Sequence, residues 1–300
     1  MRLSAAAAAV ALLAGCSVKN FAIKEIASSL AEGSGSAFAQ EGDIEFAGEA
    51  IPFSLKLVES LLAAQPDNPD LLLAAASGFT QYAKGWVEEP ADFIEDEDFF
   101  EAQRQYERAV KFYLRAFEYG LQGLEATHPG FSAEFRADPA AAAALLTVAD
   151  VDLVYWTAAA LGSAISLSRT NPELLAQLPA VEALADRALA LNPEWGLGAI
   201  HELLVTLKSS STGDPVAMER AVRGHYREVV RISGGAAASA HVSLAEAISI
   251  QNQNRAEFED LLQSAIAVNA DAHPDNRLAI LVAQRRAHWL LERVDDLFLE

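Results

Sequence analysis

Apolar residues recur at helical spacing through almost the whole chain. Ile44, Ala47, Ile51, Leu55, Val58 and Leu62 form one stripe, and Val181, Leu184, Ala188 and Leu191 a second. Met218, Ala221, Val222 and Val229 form a third. Phe258, Leu261, Leu262, Ala265 and Ile266 form the cleanest, at i, i+3, i+4, i+7 and i+8. A stripe of this period turns one face of an α-helix toward a core. No segment of useful length alternates with period two, so no strand is predicted. Polar-proline pairs punctuate the pattern: Asn68-Pro69, Asp138-Pro139, Asn171-Pro172, Asn192-Pro193, Asp214-Pro215 and His273-Pro274. A polar N-cap followed by proline at the first helical position is a helix start. The predicted class is all-α, about eleven or twelve helices with short connections.

Longer spacings predict how these helices are arranged. The segments around Asn192, Ser233 and Asn269 lie about forty residues apart, each after a helix rich in small residues. Asp186-Arg187-Ala188-Leu189-Ala190-Leu191-Asn192-Pro193 looks like the end of a tetratricopeptide helix pair, whose repeat is about 34 residues. The expected architecture is a tetratricopeptide-like α-solenoid of helix-turn-helix pairs with insertions, forming one domain over residues 43–300. The acidic stretch from Asp92 to Glu101 reads as a solvated insertion between helices. The longest uncharged run, Leu153 to Ser168, contains Gly162 and is flanked by Asp152 and Arg169. It reads as a buried core helix rather than a membrane span.

The N-terminus follows a different pattern. Met1-Arg2-Leu3-Ser4 is followed by an apolar run from Ala5 to Ala14, too short to cross a bilayer. Leu13-Ala14-Gly15-Cys16 resembles the bacterial lipobox. That resemblance makes residues 1–15 a lipoprotein signal peptide and residues 16–42 a lipidated tether. Cys16 becomes the N-terminus, carrying a diacylglyceryl thioether and an amide-linked chain. Two or three acyl chains hold a protein far more firmly than one. The expected product is a periplasm-facing lipoprotein, attached to the membrane only through its anchor. Ser17, in place of an aspartate, favours the outer membrane.

Composition narrows the function classes. The chain has 300 residues, 52% hydrophobic and 21% charged, which excludes a disordered protein. Its 42 acidic and 22 basic residues give a net charge of −20. Nucleic-acid binding needs the opposite balance, and so does adhesion to anionic lipid by charge alone. A single cysteine allows neither an intrachain disulfide nor a cysteine-based zinc site.

Catalytic signatures are sparse. No two of the six histidines have the i, i+4 spacing that places both on one metal. His201-Glu202 begins like a metalloprotease helix, but position 205 is valine. Gly33-Ser34-Gly35-Ser36 lacks the lysine of a phosphate loop, and no Gly-x-Ser-x-Gly elbow exists. No catalytic residue, metal site or cofactor is predicted. Two aromatic patches remain. Arg108, Lys111 and Arg115 fall on one helical face near Tyr119, the main basic cluster of an acidic chain. That face suits an anionic ligand or an acidic partner surface; alternatively it pairs with the acidic stretch upstream. Tyr155-Trp156 heads the uncharged helix, as core packing or as the lining of a pocket.

Several segments, in order, resemble the T component (TatT) of tripartite ATP-independent periplasmic (TRAP) transporters. They are Ala50-Ile51-Pro52-Phe53-Ser54-Leu55-Lys56-Leu57, Leu71-Leu72-Leu73, Phe79-Thr80-Gln81-Tyr82-Ala83, and Phe112-Tyr113-Leu114-Arg115-Ala116 with Tyr119-Gly120-Leu121. Tyr155-Trp156-Thr157-Ala158-Ala159, His201-Glu202-Leu203, Pro274-Asp275-Asn276-Arg277-Leu278-Ala279 and Ala283-Gln284-Arg285-Arg286-Ala287-His288-Trp289-Leu290-Leu291 complete the set. The resemblance implies a non-enzymatic accessory lipoprotein in solute uptake. Its partner would be the periplasmic solute-binding protein, and it would self-associate, as a trimer. It would offer a path for a small hydrophobic ligand. Arg115, Tyr119, Tyr155, Trp156, His201 and Glu202 carry over as positions within matching motifs, none with a catalytic role. The rival reading is a tetratricopeptide-like scaffold lipoprotein for envelope or cell-wall assembly.

Overall fold

Each apolar stripe of the sequence is the buried face of a helix. The computed structural model describes residues 35–210 and 213–299, so the signal peptide, Cys16 and most of the tether lie outside the described residues. A short α1 (Gly35–Ala39) precedes α2 (Ile44–Leu62) and α3 (Pro69–Ala83). A π-helical turn, Lys84–Glu88, carries α3 into α4 (Glu89–Ile94). Then come α5 (Phe99–Thr127), α6 (Phe131–Ala137), α7 (Pro139–Leu145) and α8 (Val151–Leu167). They are followed by α9 (Pro172–Leu175), α10 (Leu178–Leu191), α11 (Ala199–Ser209) and α12 (Pro215–Ser233). Finally α13 (Ala238–Leu244) runs into a second π-helical turn, Ala245–Ser249, before α14 (Arg255–Ile266), α15 (Arg277–Glu292) and α16 (Val294–Leu297). No strand occurs among the described residues. The all-α prediction holds. With α3 and α4 taken as one rod and the short α1, α9 and α16 set aside, twelve helices remain.

Four polar-proline pairs start helices as expected. Asn68, Asp138, Asn171 and Asp214 each accept hydrogen bonds from first-turn amides of α3, α7, α9 and α12. Two pairs do otherwise. Asn192 closes α10, and α11 begins only after Gly196, Leu197 and Gly198 pass through left-handed backbone, with φ of 60°, 58° and 90°. His273 makes no capping bond and leads into a single 3₁₀ turn before α15.

Helices pack on their neighbours in sequence: α2 on α3, α3 on α5, α5 on α8, α8 on α10, α11 on α12, and α13 on α14 and α15. The main core runs from α2 to α11 and holds Phe79, Tyr113, Leu124, Phe131, Leu161 and Leu184. A second core joins α12 to α15 around Phe258, Leu262, Val222 and Leu290. The α5–α8 crossing is close because α5 presents glycine there. A Cβ on Gly120 would sit 2.2 Å from Thr157 Oγ1, and one on Gly123 would sit 2.7 Å from Leu153 Cδ2. The uncharged run is therefore spent as core: Val154, Ala158, Leu161 and Ala164 of α8 are fully buried. By length and composition its stretch Val148–Leu167 would cross a membrane, yet most of it lies inside the fold.

The C-terminal helix returns to the beginning of the chain. Arg285 donates to Gly85 O at 2.7 Å and to Glu89 at 3.1 Å. Arg286 bridges Asp92 and Glu246, each at 2.6 Å, and Arg293 pairs with Asp96. Gln40 donates to Asp275 at 2.8 Å. Part of the acidic stretch expected to be mere solvated surface is thus a clasp for α15. Its carboxylates face three arginines that lie about 190–200 positions away, a distance over which sequence pattern gives no signal.

Candidate functional site

The sequence-predicted residues separate into an outer and an inner group. The outer group lies where α5 meets α2 and α3. Arg108 and Lys111 are exposed; Arg108 donates to Gln105 and stands 5.3 Å from the Phe112 ring centre. Arg115 lies over Phe79 and Phe112, at 5.2 and 5.8 Å, and reaches Glu59 at 3.5 Å. Tyr119 donates to Glu59 at 2.9 Å. Burial opposes the Glu59 charge, but bonds from Lys56 and Tyr119 and the field of Arg115 leave its pKa below the ordinary value. The Tyr119 phenol is pushed up to about 12, by burial and by Glu59. Arg108, Lys111 and Arg115 do not pair with the upstream acidic stretch. That stretch takes Tyr106, which donates to Asp92 at 2.8 Å, and Arg104, which pairs with Glu101.

The inner group comes from α8 and α11. The Tyr155 ring packs 4.4 Å from Trp195 and 4.9 Å from Trp156, and Trp195 Nε1 donates to Asp152. Tyr155 also rests against the main core, so the packing and lining readings both describe it. His201 is buried, with Nδ1 2.9 Å from His225 Nδ1. One ring nitrogen must donate and the other accept. Burial lowers both pKa values, and the two rings lower His225 further by mutual repulsion. The neighbouring Glu202 turns away from this pair. It accepts from Ser239 at 2.9 Å and Ser243 at 3.3 Å, both on α13. Burial raises its pKa; the serine bonds and Lys84 offset part of that.

Sequence reading missed the residues opposite. Lys84 donates to Glu88 at 2.5 Å, and Tyr113 donates to the other Glu88 oxygen at 2.5 Å. Burial opposes the ammonium, but Glu88 and Asp92 outweigh it and the Lys84 pKa rises. Both π-helical turns stand here: one carries Lys84 and Glu88, the other carries Glu246, the partner of Arg286. Such turns recur at functional sites because they re-aim side chains. The only sequence signals were a lysine inside an apolar helix and two serines, Ser239 and Ser243, spaced i, i+4.

The arrangement is one of binding groups on a solvated inner face, linked to the exterior by an arginine clasp. Against known families, the model of the TRAP transporter T-component matches residues 40–298, nearly the whole described chain. The chain belongs to the TRAP transporter T-component family. An uncharacterized protein of Treponema pallidum (strain Nichols) is 31% identical over 307 residues, covering 96% of this chain and 95% of that one. The T-component match takes in α2 through α16, so both the outer patch and the inner face lie within it.

Proposed function

We propose that this T component is a lipid-anchored, periplasm-facing, non-enzymatic accessory of a TRAP-type uptake system. It binds the periplasmic solute-binding protein and holds a small ligand on its inner face. The observation that carries this reading is the family match over residues 40–298. The lipobox-like Leu13-Ala14-Gly15-Cys16 supports the anchor, with Ser17 favouring the outer membrane. The exposed Arg108 and Lys111, beside Arg115, offer a basic face to an acidic partner surface. Phe46, Phe53 and Leu57 lie on one face of α2 and are 60%, 75% and 38% exposed. An apolar stripe of that kind suits contact with another protein, and we assign it to self-association as a trimer.

A capture experiment on the full-length protein tests this. Tagged protein, extracted from native membranes in detergent, should retain the solute-binding protein stoichiometrically. Arg108→Glu/Lys111→Glu should reduce that capture, and Cys16→Ser should shift the protein to the soluble fraction. Recovery of cell-wall or assembly proteins instead would support the scaffold reading and refute the transport one.

A further inference from the structure

Three side chains from different helices face a common inner space. Lys84 comes from the end of α3, Tyr155 from α8 and Glu202 from α11. All three are as densely surrounded by protein as the core, yet none is closed off. The Lys84 side chain is 54% accessible, and Tyr155 and Glu202 are half-buried. Dense surroundings and open access coexist only on the wall of a recess.

Their bonding capacity is unspent. Lys84 uses one N–H for Glu88 and has two left. Each Glu202 oxygen accepts one serine hydroxyl and has room for another donor. The Tyr155 hydroxyl has no hydrogen-bond partner among the described residues. Lys84 and Glu202 feel each other's charge but form no ion pair. The other charges nearby are satisfied: Glu88 by Lys84 and Tyr113, and Arg286 by Asp92 and Glu246.

A lone anion would meet Glu202, and a lone cation would meet Lys84. A head group with both charges meets its complement on each side. The aromatic cluster of Tyr155, Trp156 and Trp195 offers an apolar surface next to the Tyr155 hydroxyl. We propose that this recess binds the head of an α-amino acid with an apolar side chain. The ligand carboxylate meets Lys84 and the Tyr155 hydroxyl, and its ammonium meets Glu202. The inference rests on the reading that the protein holds a small ligand, and it names that ligand's class.

Calorimetric titration of the full mature protein tests it with three probes: leucine, N-acetyl-leucine, which lacks the ammonium, and isoamylamine, which lacks the carboxylate. Leucine should bind, with each analogue about tenfold weaker or more. Glu202→Gln keeps the shape and serine contacts; it should cost leucine about tenfold while leaving N-acetyl-leucine unchanged. Tyr155→Phe removes only the hydroxyl and should weaken leucine and N-acetyl-leucine alike. Equal affinity for all three probes, or no heat from leucine at millimolar concentration, overturns the proposal. Capture of the solute-binding protein is read separately, so a failed titration with intact capture removes this inference and leaves the transport reading.

Discussion

The His201–His225 contact holds one proton between two Nδ1 atoms 2.9 Å apart. His241, which meets the Tyr226 hydroxyl at 2.9 Å, is also buried. Burial lowers all three pKa values below the ordinary 6.5. The unfolded chain therefore takes up protons on acidification before the fold does. Where the unfolded state binds more protons, stability falls with pH. The contribution of neutral histidines is complete above the unfolded value and is lost as pH drops through it toward the folded values. A competing effect runs the other way: a chain of charge −20 repels itself less as its carboxylates protonate. The difference between wild type and His201→Gln/His225→Gln removes that shared part. Thermal unfolding from pH 7.5 to 5.5 should show wild type losing stability relative to the variant. A constant difference would mean that the pair titrates like free imidazole.

At the scale of the element, two glycines with the same helical backbone are predicted to respond in opposite directions. In an exposed helix, replacing glycine with alanine gains up to about 1 kcal/mol of propensity. Gly224 in α12 has nothing within 4 Å of its missing Cβ, so Gly224→Ala should stabilise by about 0.5–1 kcal/mol. Gly120 in α5 meets buried Thr157, whose hydroxyl is tied to Leu153 O at 2.5 Å and has little room to yield. Gly120→Ala should cost about 1–3 kcal/mol despite the propensity gain, because overpacking dominates. Chemical denaturation of both variants reads the two signs. The same contrast shows what the chain made legible. Stripes such as Phe258, Leu261, Leu262 and Ala265 named their buried faces in advance, since periodicity is local. So did the caps at Asn68 and Asp214. Nothing local distinguished Gly120 from Gly224, or Lys84 from any helical lysine. Their roles come from α8 and α11, elements far along the chain. The π-helical turns were illegible for a related reason: one extra residue per turn leaves no compositional mark.

The whole molecule is closed by charge at one seam and by apolar packing everywhere else. Along most of the chain, successive helices share a core, as Phe79, Tyr113 and Leu161 do. Where α15 meets α4, arginines 285, 286 and 293 face Glu89, Asp92 and Asp96. Glu89 is 2% exposed, and its Oε1 has no partner within the chain, so this seam is less completely satisfied than the core. Burial raises the Glu89 pKa against the pull of Arg285. A seam of this kind is the place where the molecule opens first. Arg286 holds both sides, with only 16% of its side chain exposed. Arg286→Met should cost about 3 kcal/mol, since it leaves Asp92 and Glu246 without their cation. The loss should also be local. Ile280, Ala283, Ala287 and Leu290 keep α15 on the second core. Hydrogen exchange should therefore accelerate over Lys84–Ile94 while α5 and α8 stay protected. If the variant melted with unchanged midpoint and unchanged exchange, the Phe93–Trp289 contact at 5.1 Å and its apolar surroundings would be the true closure. If exchange rose uniformly, α15 would be part of the global fold rather than a clasp. The local outcome matters for transport, because Lys84 stands at the start of the segment that would loosen. Opening the seam would then expose the recess wall without unfolding the helices that build the rest of it.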